Sequence, residues 1–161
     1  MDSLEKIKIL KNHLTVRNFK KVIEGSKILL NKMPNNDYLL NITGMAYQGL
    51  SQHDNSIKCF NQALKYSPNN LAAMNNLANS LKAIGKLEES KNLYENILKI
   101  NPNYINAYNN FANLKTLVND YDGAIQLYKK AYSIIEKMDN VPNSSPEFYS
   151  LSRPLIKVQI K

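Results

Sequence analysis

Two segments of the chain carry the same pattern of asparagines, A-x-N-N-x-A-N. The asparagines are Asn75, Asn76 and Asn79 in the first segment and recur in the same order as Asn109, Asn110 and Asn113 in the second. Asparagine is a poor helix former, because its amide competes for nearby backbone groups. The same amide carries both a donor and an acceptor, so a row of asparagines can bind the backbone of an extended peptide. The repetition therefore indicates a binding role.

The prolines that precede these segments have the same period. Pro34, Pro68 and Pro102 stand at equal intervals, and each is followed by asparagine. Proline is tolerated in the first turn of a helix or just past its end, so the prolines mark junctions between helices. A constant interval of 34 residues predicts a solenoid of similar units.

Each unit has the periodicity of two helices. One apolar stripe is formed by Met74, Leu77, Ala78 and Leu81, and a second by Leu87, Ser90, Tyr94, Ile97 and Leu98. Spacings of three and four residues are typical of a helix with one buried face. Gly85 stands between the two stripes and suits a turn, since glycine can take the left-handed conformation that ends a helix.

This pattern resembles the tetratricopeptide repeat, a family with 34-residue units. The resemblance rests on small residues at Gly44, Ala78 and Ala112, together with aromatic residues at Phe60, Tyr94 and Tyr128. It implies an all-α, right-handed superhelical solenoid of antiparallel helix-turn-helix repeats. The units are residues 37–70, 71–104 and 105–138, preceded by a degenerate first unit, residues 3–36, in which Lys6 and His13 fill apolar positions.

The remaining residues, 139–161, depart from the repeat. They begin as a proline- and serine-rich linker, and Ser145 followed by Pro146 reads as the start of a helix. We expect this helix to cap the last repeat, with Phe148, Leu151 and Leu155 as contacts. A frayed tail and a chain cut from a longer protein are the open alternatives.

The asparagines are expected to line a groove. On a helical wheel, Asn75, Asn76 and Asn79 lie nearly opposite the apolar stripe. In the family that the sequence resembles, the first helix of each repeat lines the inner wall of the superhelix. The pattern is similar to that of O-linked N-acetylglucosamine transferases, whose inner-surface asparagines hold peptide backbone. The predicted peptide-binding residues are Asn41, Asn75, Asn76, Asn79, Asn109, Asn110 and Asn113.

The first full repeat departs from this ladder of asparagines, because Ile42 and Met45 replace two of the three amides. That end of the groove is expected to offer an apolar contact or to be covered by the first unit. Since the groove asparagines lie off the apolar stripe, Asn76→Ala and Asn110→Ala are predicted to leave the fold intact.

Other interpretations use the same residues differently. The asparagines could form a solvated face in an asparagine-rich chain. A carboxylate clamp for a chaperone C-terminus would use Lys8, Lys11 and Lys82, but Asn106, Asn110 and Asn113 stand where further basic residues would be needed. The chain could also be the recognition arm of a larger transferase or of a secretion or assembly protein.

The composition favours protein interaction over chemistry. One cysteine, Cys59, and two histidines give no metal pattern, and no phosphate-binding or nucleophile motif is present, so we predict neither a cofactor nor an enzyme. The net charge of +8 is spread without long basic runs and the tyrosines fill packing positions, which disfavours nucleic acid. No long apolar segment predicts a membrane span or a signal peptide, so the expected compartment is the cytoplasm. The oligomeric state stays open.

Overall fold

The computed structural model describes residues 2–139, and every regular element within them is a helix. The helices are α1 (Ser3–Thr15), α2 (Phe19–Leu30), α3 (Asp37–Gly49), α4 (His53–Tyr66), α5 (Leu71–Ala83), α6 (Leu87–Ile100), α7 (Ile105–Leu117) and α8 (Tyr121–Asp139). The predicted all-α class is confirmed. The chain forms two compact units, divided between Leu93 and Tyr94 within α6. The linker and capping helix expected in 139–161 lie outside the described residues, apart from Asp139 at the end of α8.

Two of the three repeat prolines, Pro34 and Pro68, stand just before helices with a side-chain cap. Shortly after Pro34, the Oδ1 atom of Asn36 accepts the backbone N–H of Leu39 at 2.8 Å. Asn70 caps α5 in the same way. A side-chain oxygen at this position satisfies a backbone donor that has no partner inside the helix. The P-N-N sequence therefore ends one hairpin and starts the next. The third junction differs, because the N-cap residue of α7 is Tyr104, which forms no side-chain cap.

The turn inside each hairpin contains one residue with positive φ. These residues follow one another at equal intervals and are Arg17 (59°), Ser51 (59°), Gly85 (80°) and Asn119 (62°). Glycine adopts this left-handed conformation without steric cost. The expected turn role of Gly85 is confirmed. The other three turns place a non-glycine residue in the left-handed conformation, which is unfavourable for a residue with a side chain.

Exchanging glycine into or out of these turns should therefore change stability in opposite directions. Ser51→Gly should raise the free energy of unfolding by about 1 kcal/mol, and Gly85→Ala should lower it by about the same amount. A Cβ added at Gly85 meets nothing within 4 Å, so backbone strain is the only cause there. Urea denaturation measures both effects, and unchanged midpoints in the two variants would contradict the assigned turns.

Small residues bring the two helices of a hairpin together, as predicted. A Cβ built on Gly44 of α3 would lie 2.5 Å from the ring of Phe60, a fully buried side chain of α4. The backbone oxygen of Ala78 accepts the hydroxyl of Ser90 at 2.8 Å. Ala112 packs against Tyr128. The small positions read from the sequence are therefore the points of close helix contact.

The first hairpin reverses the sizes at these positions. Leu10 stands one repeat before Gly44, and Ser26 stands one repeat before Phe60. Leu10 is buried in the core, and a Cβ built on Gly25 of α2 would lie 2.5 Å from its Cδ2 atom. In this unit α1 supplies the large side chain and α2 the small residues. This exchange of large and small partners between the helices is a departure from the repeat in addition to Lys6 and His13 at apolar positions.

The burial of Ile42 distinguishes between the two expectations for the first end of the asparagine ladder. It is buried in a cluster with Leu10, Leu29 and Leu39. The sequence leads us to expect this end either to offer an apolar contact or to be covered by the first repeat, residues 3–36. At Ile42, coverage by the first repeat holds. None of the helices within residues 2–139 combines the length and apolar character needed to cross a lipid bilayer.

Candidate functional site

Two of the predicted groove asparagines are buried. Asn41 on α3 is 8% exposed and Asn75 on α5 is 7% exposed. The expectation that Asn75 faces away from the packed side is wrong. The helical wheel considered one apolar stripe, but α3 and α5 also contact each other, so more of the circumference of each helix is enclosed. The binding role of these two residues stays a prediction.

Asn76 is partly exposed, and its amide has a defined orientation. Its Nδ2 atom donates to Oδ1 of Asn41 at 3.1 Å, across the α3–α5 contact. Asn41 is buried, so the bond satisfies an acceptor that water reaches poorly. Asn76→Ala would remove that donor, so the variant should be less stable, while its fold is still predicted to stay intact. The loss of one such bond should cost about 1 kcal/mol of stability.

A chain of polar side chains fixes α5 against α3 and α4. The amide of Gln48 donates to the hydroxyl of Ser80 at 3.1 Å, and the hydroxyls of Ser80 and Ser56 lie 2.8 Å apart. Ser56 donates onward to the backbone oxygen of His53 at 2.8 Å. Each hydroxyl can donate once and accept once along this chain, so the buried polar groups are satisfied. The chain holds the helix that carries Asn76 and Asn79.

In the second compact unit, which begins at Tyr94, the asparagines of α7 differ in exposure. Asn113 is exposed, and its Oδ1 atom accepts the hydroxyl of Tyr128 at 2.6 Å. Asn110 is partly exposed. The Oδ1 atom of Asn109 is enclosed and has no hydrogen-bond partner among the described residues. That oxygen is therefore directed into the packing, whereas Asn110 is partly exposed and Asn106 and Asn113 are exposed.

Contacts around Phe111 set the position of α7. Its ring stacks on that of Tyr94 with centroids 5.8 Å apart, and the Lys115 ammonium lies 5.7 Å from the centroid. Lys115 also donates to Asp120 at 2.7 Å. This hydrogen bond lowers the pKa of Asp120, whose other oxygen accepts the N–H of Gly123 at 2.9 Å. Lys115 thus links α7 to the start of α8.

The three lysines of the clamp interpretation do not share the cavity found in the first unit. Lys8 and Lys11 line that cavity, but Lys82 of α5 is not among its lining residues. Burial lowers the pKa of Lys82, because a charged ammonium is poorly solvated there. The arrangement therefore gives the clamp interpretation no specific support.

Cys59 and His53, which were weighed in the sequence for a metal pattern, have structural surroundings. Burial raises the pKa of the Cys59 thiol to about 11, which keeps it protonated and unreactive at neutral pH. His53 begins α4 and contributes a backbone acceptor to the polar chain. Across residues 2–139, no three His, Cys, Asp or Glu side chains converge as metal ligands would.

Several residues that shape the site had no signal in the sequence reasoning. Gln48, Ser56 and Ser80 were missed because their partners are distant along the chain and follow no motif. The partner of Asn76 could have been found, since Asn41 lies about one repeat before it in the sequence. The available signal was that nearly equivalent positions of successive repeats contact each other.

The fold and these repeated positions match known proteins. Two family models described as tetratricopeptide repeat match residues 39–70 and 69–137. Together they span 39–137, which is more than half of the chain. The protein belongs to the tetratricopeptide repeat family. No curated protein sequence matches the chain, and the resemblance to O-linked N-acetylglucosamine transferases has no support among these similarities.

Solved structures share the fold at low sequence identity. A crystal structure of MamA has 22% identity and a TM-score of 0.69, and the match covers 83% of this chain and 75% of that chain. MamA from Desulfovibrio magneticus RS-1 has 12% identity and a TM-score of 0.76, with 86% and 78% covered. The first repeat domain of Spaghetti (RPAP3), bound to the HSP90 peptide SRMEEVD, has 20% identity and a TM-score of 0.68, with 73% and 93% covered. At these identities the likeness establishes the fold.

Proposed function

We propose that the chain is a non-catalytic interaction scaffold that binds an extended segment of a partner protein along the first helices of its repeats. Two related structures support a peptide ligand, because RPAP3 domains of this fold are bound to peptides of HSP90 and HSP70. Asparagine side chains would hold the partner's backbone, since an amide pairs with peptide groups whatever the sequence.

The observation that carries the proposal is the fixed amide of Asn76. A side chain that is already oriented loses less freedom when a ligand binds, so its hydrogen bond contributes more to affinity. Asn41 acts here as a positioning residue, because its buried oxygen directs Nδ2 of Asn76. We assign ligand contact to Asn76 and Asn79 on α5 and to Asn110 and Asn113 on α7.

A peptide selected from a random library against the folded chain provides the probe. Asn76→Ala and Asn110→Ala should each weaken its binding by about 0.5–1.5 kcal/mol, the usual net value of one hydrogen bond. Isothermal titration calorimetry measures the affinities, and circular dichroism confirms that each variant is folded. Binding is measured well below the melting temperature, because Asn76→Ala is also expected to reduce stability.

The matched control is the double variant Asn92→Ala and Asn96→Ala. Both residues are exposed asparagines of α6, and neither belongs to the repeated triplet. Their removal should leave affinity unchanged. If this control weakens binding as much as the groove variants do, or if Asn76→Ala and Asn110→Ala bind with wild-type affinity, the asparagines are a solvated face.

A further inference from the structure

The positive charge of the chain is concentrated in its first hairpin. Residues 2–36 hold seven lysines and one arginine against three acidic side chains, which gives +5 of the total +8. A field of one sign attracts oppositely charged ligands and raises their rate of association. Any partner that approaches this end of the protein is therefore selected for negative charge.

The first helix of this hairpin, α1, lines a cavity of about 780 Å³ together with the start of α3. The lining residues are Asp2, Leu4, Glu5, Ile7, Lys8, Lys11, Asn36 and Tyr38. Two of the apolar ones are exposed, since Leu4 is 73% exposed and Tyr38 is 43% exposed, whereas Ile7 packs partly against the core. Exposed apolar surface inside a concave site is typical of a surface that a partner covers.

Charge is ordered along this cavity. Lys8 and Lys11 lie one turn apart on α1, both exposed, and neither is in an ion pair within residues 2–139. Asp2 and Glu5 lie at the start of the same helix, and the Asp2 carboxylate already accepts the N–H of Ser3. Along α1 the acidic residues Asp2 and Glu5 therefore precede the basic residues Lys8 and Lys11, with the apolar Leu4 and Ile7 interleaved among them.

We infer that this cavity, which we call the first-unit cavity, binds an acidic segment of a partner protein through one apolar side chain, with carboxylates beside it paired to Lys8 and Lys11. The inference rests on the proposed peptide-binding function and adds the chemistry of the ligand. Internal acidic residues suffice, because the contact needs side-chain carboxylates and an apolar anchor.

Charge argues against the other occupants. Residues 140–161 of this chain hold three basic side chains and one acidic one, and a second copy carries +8, so both are repelled. Single-stranded nucleic acid needs stacked aromatic rings as well as basic groups, and this floor has one tyrosine beside aliphatic side chains. A flat bilayer surface fits a concave site poorly.

The test uses the full chain and a labelled peptide in which one leucine is flanked on both sides by glutamates, with both ends blocked. Fluorescence anisotropy should show saturable binding that weakens as salt is raised. Lys8→Glu with Lys11→Glu should weaken it by about tenfold, because two attractive pairs become repulsive. Both lysines are exposed and glutamate is a good helix former, so the variant should fold, and circular dichroism checks this.

The matched control is Lys20→Glu with Lys21→Glu, which makes the same change of charge on α2 outside the cavity lining. It should weaken binding by no more than about twofold, through the general field alone. Replacing the leucine of the peptide with glycine should also weaken binding, since the apolar anchor is lost. An equal loss in both charge variants, or equal affinity for the glycine peptide, would overturn the inference.

Two further arms separate this inference from the alternatives. Tighter binding of single-stranded DNA or of phosphatidylserine vesicles than of the leucine peptide would overturn it in favour of those ligands. Asn110→Ala should leave affinity for the leucine peptide unchanged, because the probe is held in the first unit. If the library-selected peptide binds while the leucine peptide does not, the first-unit cavity fails and the asparagine proposal stands.

Discussion

Replacing Gly44 with leucine is expected to lower the free energy of unfolding by about 3 kcal/mol, because the new side chain has no room. A Cβ alone would lie 2.5, 2.8 and 2.8 Å from three atoms of the Phe60 ring. That ring is fully buried and packs with Leu77 and Leu81 of the next helix, so it cannot move aside. Urea denaturation followed by circular dichroism gives the measurement.

A double-mutant cycle shows whether Phe60 is the cause. In the Gly44→Leu background, Phe60→Ala should cost less than it does in the wild type, since it removes the clash. Ala83→Leu is the matched control, because Ala83 is an exposed residue on α5 and its replacement should change stability little. If Gly44→Leu melts like this control, α3 and α4 do not meet at the small residue.

The second large effect is expected at Leu10, where α1 supplies the bulk of the first hairpin. Leu10→Ala should cost about 2–4 kcal/mol through the cavity it leaves. Repeat proteins are held together by contacts between neighbours, so the loss should fall mainly on α1 and α2. Amide hydrogen exchange should show faster exchange in these helices than in α7 and α8.

The reversed sizes of the first hairpin predict a rescue. Gly25→Leu alone should be destabilising, because Leu10 already fills the space beside it. In the Leu10→Ala background the same substitution should restore part of the lost stability, since the bulk returns from α2. If Gly25→Leu is equally harmful in both backgrounds, the two helices have not exchanged their large and small partners.

Much of the fold could be predicted from the sequence, because its signals are local and repeated. The proline interval located the helix junctions, and the small residues at Gly44, Ala78 and Ala112 marked the helix contacts. The reversed hairpin was recognised only as degenerate. A periodic template compares each position with its own equivalents, so it cannot detect that Leu10 and Ser26 have exchanged sizes between two positions.

The candidate site was predictable in part, for a related physical reason. A helical wheel treats one helix with one buried face, and it placed Asn75 and Asn76 together on the open side. In the structure, α5 also contacts α3, and Asn75 and Asn41 are buried while Asn76 is partly exposed. The pairing of Asn76 with Asn41 depends on contact between repeats, which the wheel does not contain.

The most direct measurement follows the asparagine side-chain amides by nuclear magnetic resonance as the library-selected peptide is added. The account predicts that the Nδ2 signals of Asn76 and Asn110, on the first helices, shift and saturate with the peptide. Asn92 and Asn96, on α6, serve as internal controls and should stay in place. Saturating shifts at these controls, with the signals of Asn76 and Asn110 unmoved, would contradict the claim that the repeated asparagines bind the partner.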